Sequence, residues 1–375
     1  MRIRTVAIAA ALSCLLVPAS AAAARSTPAD VQRGLERLVA TPGGPPGAIA
    51  TLYRNGRLTT LSAGRADVRR EGAPKSTDHM RIASIAKAFS GAVTLNLVRA
   101  GKLRLDQTIS QLLPGMPLGW GPVTVAQMLG HTSGLPDYTA SKGFLKQAKT
   151  DPRGIVSPQK VLSWVSSDPL EFPPGSTYRY SNTDNIVIGL IVESLTGESY
   201  GDVLQKIVFK PAGLSETSFP VKTAIPQPFL HGYFTAPGEQ PQDVSTMLSP
   251  SGAWASGAIV STPKDLNAFI RADLGLRFFD RAQQSEQMRF WPGGESSPPG
   301  PGSNSAGLAL FRYQTRCGTV YGHTGNFPGY VQFAAATVDG KRAVTTSLNI
   351  PAPKGKLLAQ LRRLQTTAVC ALLGR

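Results

Sequence analysis

Two segments place a serine three residues before a lysine, Ser84-Ile85-Ala86-Lys87 and Ser157-Pro158-Gln159-Lys160. On a helix that spacing puts both side chains on one face, one turn apart. The chemistry it could support is nucleophilic: the hydroxyl attacks a carbonyl after losing its proton to the amine. Context separates the two. Ser157 fits an N-cap and Pro158 the first helical position, which occupies the hydroxyl and leaves Lys160 in water. Ser84 lies among Ile82, Ala83, Ile85, Ala86, Ala88 and Phe89, so its helix should be buried on nearly all sides, with Lys87 inside. Desolvation disfavours the ammonium, and a neutral Lys87 could then act as base. A helix N-terminus at Ser84 would also aim backbone N–H groups and the favourable end of the helix dipole at a developing oxyanion. The bland alternative is a capping serine with a snorkelling lysine.

Two further elements could complete such a site. In Tyr180-Ser181-Asn182 the phenol of Tyr180, its phenolate stabilised beside a cationic lysine, could shuttle protons, while Asn182 could bond a substrate amide. The similar Tyr53-Arg54-Asn55 has a complete explanation as a hairpin turn. In His323-Thr324-Gly325 the glycine would let a substrate lie against a strand edge. Thr324 would offer it a hydroxyl, and the N–H of Asn326 would join that of Ser84 as a second oxyanion donor. His131, in His131-Thr132-Ser133-Gly134, reads as structural. The G-x-S-x-G elbow is absent, and His79, His131, His231 and His323 have no obvious serine partner. No two histidines share a helix face, and neither a metal site nor a cofactor site is evident.

The elements that must position these residues come from both ends of the chain. Residues 31–40 read as an amphipathic helix. Residues 48–53 and 57–63 read as strands around Asn55-Gly56, which suits a two-residue hairpin turn. Residues 330–338 and 342–349 flank Asp339-Gly340 in a second hairpin. A helix over 356–373 then puts Leu357, Leu361, Leu364 and Ala368 on one face. The simplest packing is one antiparallel sheet built by the two ends and covered by the terminal helices, with a mostly helical middle inserted. The expected division is a sheet-and-helix lobe of residues 25–100 plus 239–375 and a helical lobe of residues 101–238. Residues 291–305, rich in glycine, proline and serine, read as a mobile surface loop before a strand over 308–312.

Arg2 and Arg4 precede an apolar run over 6–17, and Ala22 and Ala24 offer a cleavage site before Arg25. Residues 1–24 therefore read as a signal peptide, and the mature protein as secreted or held at the cell envelope, with no membrane span. In that compartment Cys317 and Cys370 are expected to be bridged, stapling the last helix; one inert buried thiol and one exposed one is the alternative. The formal charge of +16 favours anionic surroundings. The basic residues are scattered and no nucleic-acid-binding pattern appears, so an anionic cell-wall polymer is the expected partner, with mere solubilisation as the alternative.

Taken in order, Ser84 and Lys87, then Tyr180 and Asn182, then His323 to Gly325, the chain resembles the serine β-lactamase and penicillin-binding family. The branch it resembles is that of class C β-lactamases and Streptomyces-type D-alanyl-D-alanine carboxypeptidases. Residues 129–135, LGHTSGL, and 256–266, SGAIVSTPKDL, add to the likeness without a catalytic role. The resemblance implies an α/β fold of α+β type, an antiparallel sheet flanked by helices with a helical lobe and a cleft between. It also implies a serine D,D-carboxypeptidase that takes peptidoglycan stem peptides, is acylated by β-lactams and needs no cofactor. A β-lactamase or small-ester hydrolase is the alternative, and a non-catalytic sensor a third reading. A monomer is expected. The cysteine staple looks like the Streptomyces-type enzymes. Those hold the substrate carboxylate with an arginine after a Gly-Leu-Gly-Leu-like strand; here Gly307-Leu308-Ala309-Leu310 is followed by Phe311, and Arg312 comes one residue late. On a strand that offset turns the side chain to the other face.

Overall fold

A computed structural model describes residues 25–375. The expected signal peptide, residues 1–24, lies outside the described residues. Helix α1 (Pro28–Val39) opens with a capping box between Thr27 and Asp30 and buries Val31, Leu35 and Leu38. Strands β1 (Gly47–Arg54) and β2 (Arg57–Gly64) follow, with Arg54 opposite Arg57. The two residues between them, Asn55 and Gly56, have φ of 52° and 77°, as the expected tight turn demands. The other sheet strands come from the C-terminal third: β3 (Trp291–Pro292), β4 (Ser303–Ala306), β5 (Phe311–Thr315), β6 (Gly318–Phe327), β7 (Tyr330–Ala336) and β8 (Ala343–Leu348). All pair antiparallel in the order β2-β1-β8-β7-β6-β5-β4-β3, so the two chain ends meet at β1 and β8.

Alternation along β7 divides the core. Val331, Phe333 and Ala335 pack with α1 and the last helix, α5 (Gly355–Leu373), while Tyr330, Ala334 and Ala336 face the other way. On that second face lie α2 (Ala86–Arg99), α3 (Thr183–Thr196) and α4 (Pro263–Leu274). Residues 101–238 hold α3 and several shorter helices, with the two-residue strand Tyr233–Phe234 near their end. Cys317 and Cys370 are bonded, with Cα atoms 5.1 Å apart, and tie the β5–β6 turn to α5. Among the described residues no helix is long and apolar enough to cross a membrane.

Three local expectations need correction. The β7–β8 loop is longer than Asp339-Gly340 alone, because pairing stops at Ala336 and Ala343. Residues 291–305 are built in rather than loose: β3 and β4 pair within the segment, and Ser296 and Asn304 are buried. Its backbone polar groups find partners that composition does not display. The Asn304 amide donates to the carbonyls of Gly300, Pro301 and Gly302, and Arg362 donates to Gly300 and Gly302. Finally, the strand expected over 308–312 starts only at Phe311. Ala309, at φ 55°, lies in a tight turn where its N–H donates to Leu129 O.

Candidate active site

Ser84 sits in a single 3₁₀ turn, Ala83–Ile85, that runs directly into α2. Ala83, just before it, has φ of 51°, a strained value for a residue with a Cβ and the kind found where backbone is held for function. Helix α2 is buried on almost every side, and Lys87 is completely inaccessible. Its Nζ donates to Ser84 Oγ at 3.0 Å, Asn182 Oδ1 at 2.8 Å and Ser256 O at 2.9 Å. Burial pulls its pKa down from the ordinary 10.5 to about 7, against the smaller upward pull of Asp137 and Asp184. The second serine-lysine pair behaves as a helix start, with Ser157 Oγ accepting from Lys160 N at 3.1 Å.

Tyr180 lies with its ring centroid 4.9 Å from Lys87 Nζ, stacked obliquely on His131 at 4.3 Å. Its hydroxyl is buried and meets no partner at hydrogen-bond geometry, although the nearby Ser84 hydroxyl offsets part of the shift that burial imposes. The net shift is upward, so Tyr180 rests as a neutral phenol, and the expected stabilisation of its phenolate by Lys87 is not what burial produces. His131, read as structural, is buried against Asp184 with Nδ1 2.7 Å from Oδ2, and Ser133 Oγ donates to the same carboxyl. Burial, aided by the Lys87 charge, pushes His131 down to about 3, while burial raises Asp184 well above the usual carboxylate range. This pair fixes the start of α3 and thereby Tyr180 and Asn182.

The third element is where expectation and geometry differ most. Strand β6 pairs with β5 only from Gly318 to Gly322, so from His323 to Phe327 one edge of β6 has no strand beside it. The Ala83–Ile85 turn packs on the face of β6 that Gly325 presents. A Cβ on Gly325 would stand 2.3 Å from Ile82 O and 3.2 Å from Ser84 N, so glycine is needed there for the close approach of the protein's own backbone. Thr324 Oγ1 is buried and donates to Pro298 O at 2.6 Å, leaving no hydroxyl turned to a substrate. His323 is fully buried, its ring against Phe311 and Tyr180, and lies outside the cavity lining. Asn326 does line the cavity, and its Oδ1 accepts from Ala352 N at 2.7 Å. Because β6 turns into β7 at Phe327 opposite Tyr330, ladder alternation points the Asn326 backbone N–H toward the free edge.

Asn182 also differs from its expected role. Its Oδ1 accepts from Lys87, and its Nδ2 donates to the Asp137 carboxylate at 3.0 and 3.3 Å, so both ends of the amide are already held. Arg312 does not reach the cavity. Its guanidinium lies over the Phe290 ring, 4.8 Å from the centroid, and donates to Ser305 Oγ at 3.2 Å.

Asp137, Ser256 and the Ser297-Pro298 segment also shape the site, without standing out as functional residues in the sequence. A signal did exist for the first two: LGHTSGL ends two residues before Asp137, and SGAIVSTPKDL begins at Ser256. The cavity, about 440 Å³, is bordered by Ser84, Asp137, Tyr180, Asn182, Asn326 and the aromatic rings of Phe144 and Phe327, among others. Among the described residues no cluster of His, Cys, Asp or Glu could hold a metal ion. A nucleophile with a buried amine and a neutral phenol at a strand edge can perform acyl transfer without one.

The family model described as Beta-lactamase matches residues 35–367. Penicillin-binding protein 4* of Bacillus subtilis (strain 168) is 26% identical over 300 residues, which cover 76% of this chain and 63% of that protein. The chain thus spans less than two thirds of the length of this curated relative. Among solved structures, a D-stereospecific amidohydrolase from Streptomyces sp. is 30% identical with a TM-score of 0.76, covering 86% of this chain and 94% of that one. The D-amino acid amidase from Ochrobactrum anthropi SV3, complexed with L-phenylalanine amide, is 25% identical with a TM-score of 0.79, covering 91% and 96%.

Proposed function

The chain belongs to the beta-lactamase family and is a serine hydrolase, and from that premise we propose that it hydrolyses amides of D-configured amino acids carrying a free amino group. The observation that carries this reading is the charge of the cavity. Of the residues that border it, Asp137 alone is formally charged, and it stands one hydrogen bond beyond Asn182 and two beyond the Ser84–Lys87 pair. An ammonium next to the scissile carbonyl would be welcomed there; a carboxylate would meet a like charge. The similarity to two amidohydrolases supports the same reading.

In the proposed mechanism neutral Lys87 takes the Ser84 proton as the hydroxyl attacks the carbonyl. The N–H groups of Ser84 and Asn326 hold the oxyanion. The proton captured by Lys87 returns through Tyr180 to the leaving nitrogen, which agrees with a phenol that is neutral at rest. Water then releases the acyl group from Ser84 by the reverse proton path. Replacing Tyr180 with phenylalanine is expected to lower kcat by roughly 10²–10⁴-fold, the range for losing a positioned acid. KM for an amide should change little, because the phenol gives up its proton only as the C–N bond breaks, an interaction of the transition state rather than of the bound amide.

The D,D-carboxypeptidase reading remains the second, favoured by the relative named penicillin-binding protein 4*. It needs a cation for the terminal carboxylate, and Arg312 is held on Phe290 instead. Steady-state rates with D-phenylalanine amide, N-acetyl-D-phenylalanine amide and an acylated D-alanyl-D-alanine peptide separate the two. A charge-assisted hydrogen bond of about 1.5–3 kcal/mol corresponds to roughly ten- to hundredfold in kcat/KM in favour of the free amine. A preference for the peptide would instead establish the carboxypeptidase.

A further inference from the structure

Far from the cavity, α5 carries no acidic residue, and the chain has none after Asp339. Two grooves flank this helix. One of about 260 Å³ lies toward α1, bordered by Arg37, Gln360, Arg363 and Thr367. The other, of about 510 Å³, lies toward the β5–β6 turn, bordered by Arg316, Arg362, Arg363 and Thr367. Sharing Arg363 and Thr367, they form one track across the helix. Arg37, Arg316 and Arg363 are exposed, and among the described residues none of the three is in an ion pair. Arg362 instead braces the groove wall by donating to Gly300 and Gly302 carbonyls. The acids of α1 are engaged elsewhere, Asp30 with Arg33 and Glu36 with Gln32.

We propose that this track binds a linear phosphodiester polymer without aromatic bases. Guanidinium forks match phosphate oxygens in geometry and charge, and unpaired arginines on a continuous groove present several in succession. No aromatic side chain borders either groove, so nothing there would stack a nucleobase. The track lies on the α1–α5 face of the sheet, whereas Ser84 lies on the α2 face, so a chain held there leaves the cavity open.

The test is fluorescence-anisotropy binding of a labelled glycerol phosphate oligomer across a salt series. The double variant Arg316→Ala/Arg363→Ala is compared with Lys102→Ala/Lys146→Ala, which removes the same charge from exposed positions elsewhere. The arginine variant should bind at least roughly 10-fold more weakly, with a shallower salt slope, while the lysine variant matches the parent. Equal weakening by both would reduce the effect to diffuse charge and overturn the proposal. So would undetectable binding by the parent, or tighter binding of a single-stranded oligonucleotide of equal charge. Amide turnover should be unchanged in both variants.

Discussion

Lys87→Met is expected to lower the rate of acylation by at least about 10³-fold, as removal of a positioned general base does, with little change in stability. The stability half follows from two opposed effects. A lysine held at about 7 rather than 10.5 destabilises the folded state at neutral pH by about 4–5 kcal/mol, which methionine relieves. Against that, Asn182 Oδ1 and Ser256 O lose their donor, at about 1–3 kcal/mol each. Urea unfolding should therefore place the variant within about 3 kcal/mol of the parent. A collapse in both stability and activity would point to a structural lysine. The same shift fixes the pH dependence of the parent. Only neutral Lys87 is a base, so acylation should fall tenfold per unit as pH drops below about 7 and level off above it. The stability penalty has a matching window: between about 7 and 10.5 the unfolded lysine binds the proton that the folded one has lost. This group's contribution to stability thus improves as pH rises through that range.

Ser84→Ala should lower turnover by at least about 10⁴-fold, since removing a nucleophile leaves only binding and oxyanion stabilisation. Folding should be untouched, because the hydroxyl accepts a single hydrogen bond, from Lys87. Intact-mass measurement after incubation with an uncharged fluorophosphonate, which phosphonylates a serine nucleophile with loss of fluoride, should show the parent gaining one phosphonyl group and the variant none. An adduct surviving in the variant, on Ser157 for example, would move the nucleophile elsewhere.

What could be read from the residues depended on how local each interaction is. Ser84 and Lys87 are three positions apart on one helix, and Asn55-Gly56 carries its turn geometry in its own φ preferences, so both were legible. The partners of Lys87 lie 95 and 169 positions away, and only the packing of α2 against α3 and the turn before α4 brings them in. Asp137 lies two residues past LGHTSGL, but its role at the cavity depends on Asn182, 45 positions away in sequence. Residues 291–305 were misread because glycine and proline mark loops without revealing that Asn304 and Arg362 secure their carbonyls. Gly325 reads from sequence as a place for a substrate to lie against the strand; the structure sets Ile82–Ser84 against its Cβ position.

The mechanism rests on an amine that is uncharged near neutrality, and that amine can be titrated directly. With selectively ¹³C-labelled lysine and Lys87→Met to assign the signal, the Lys87 Cε resonance followed by NMR from pH 5 to 11 should show a midpoint near 7. A midpoint near 10, with the other lysines, would mean a charged Lys87 at neutral pH and would contradict the mechanism.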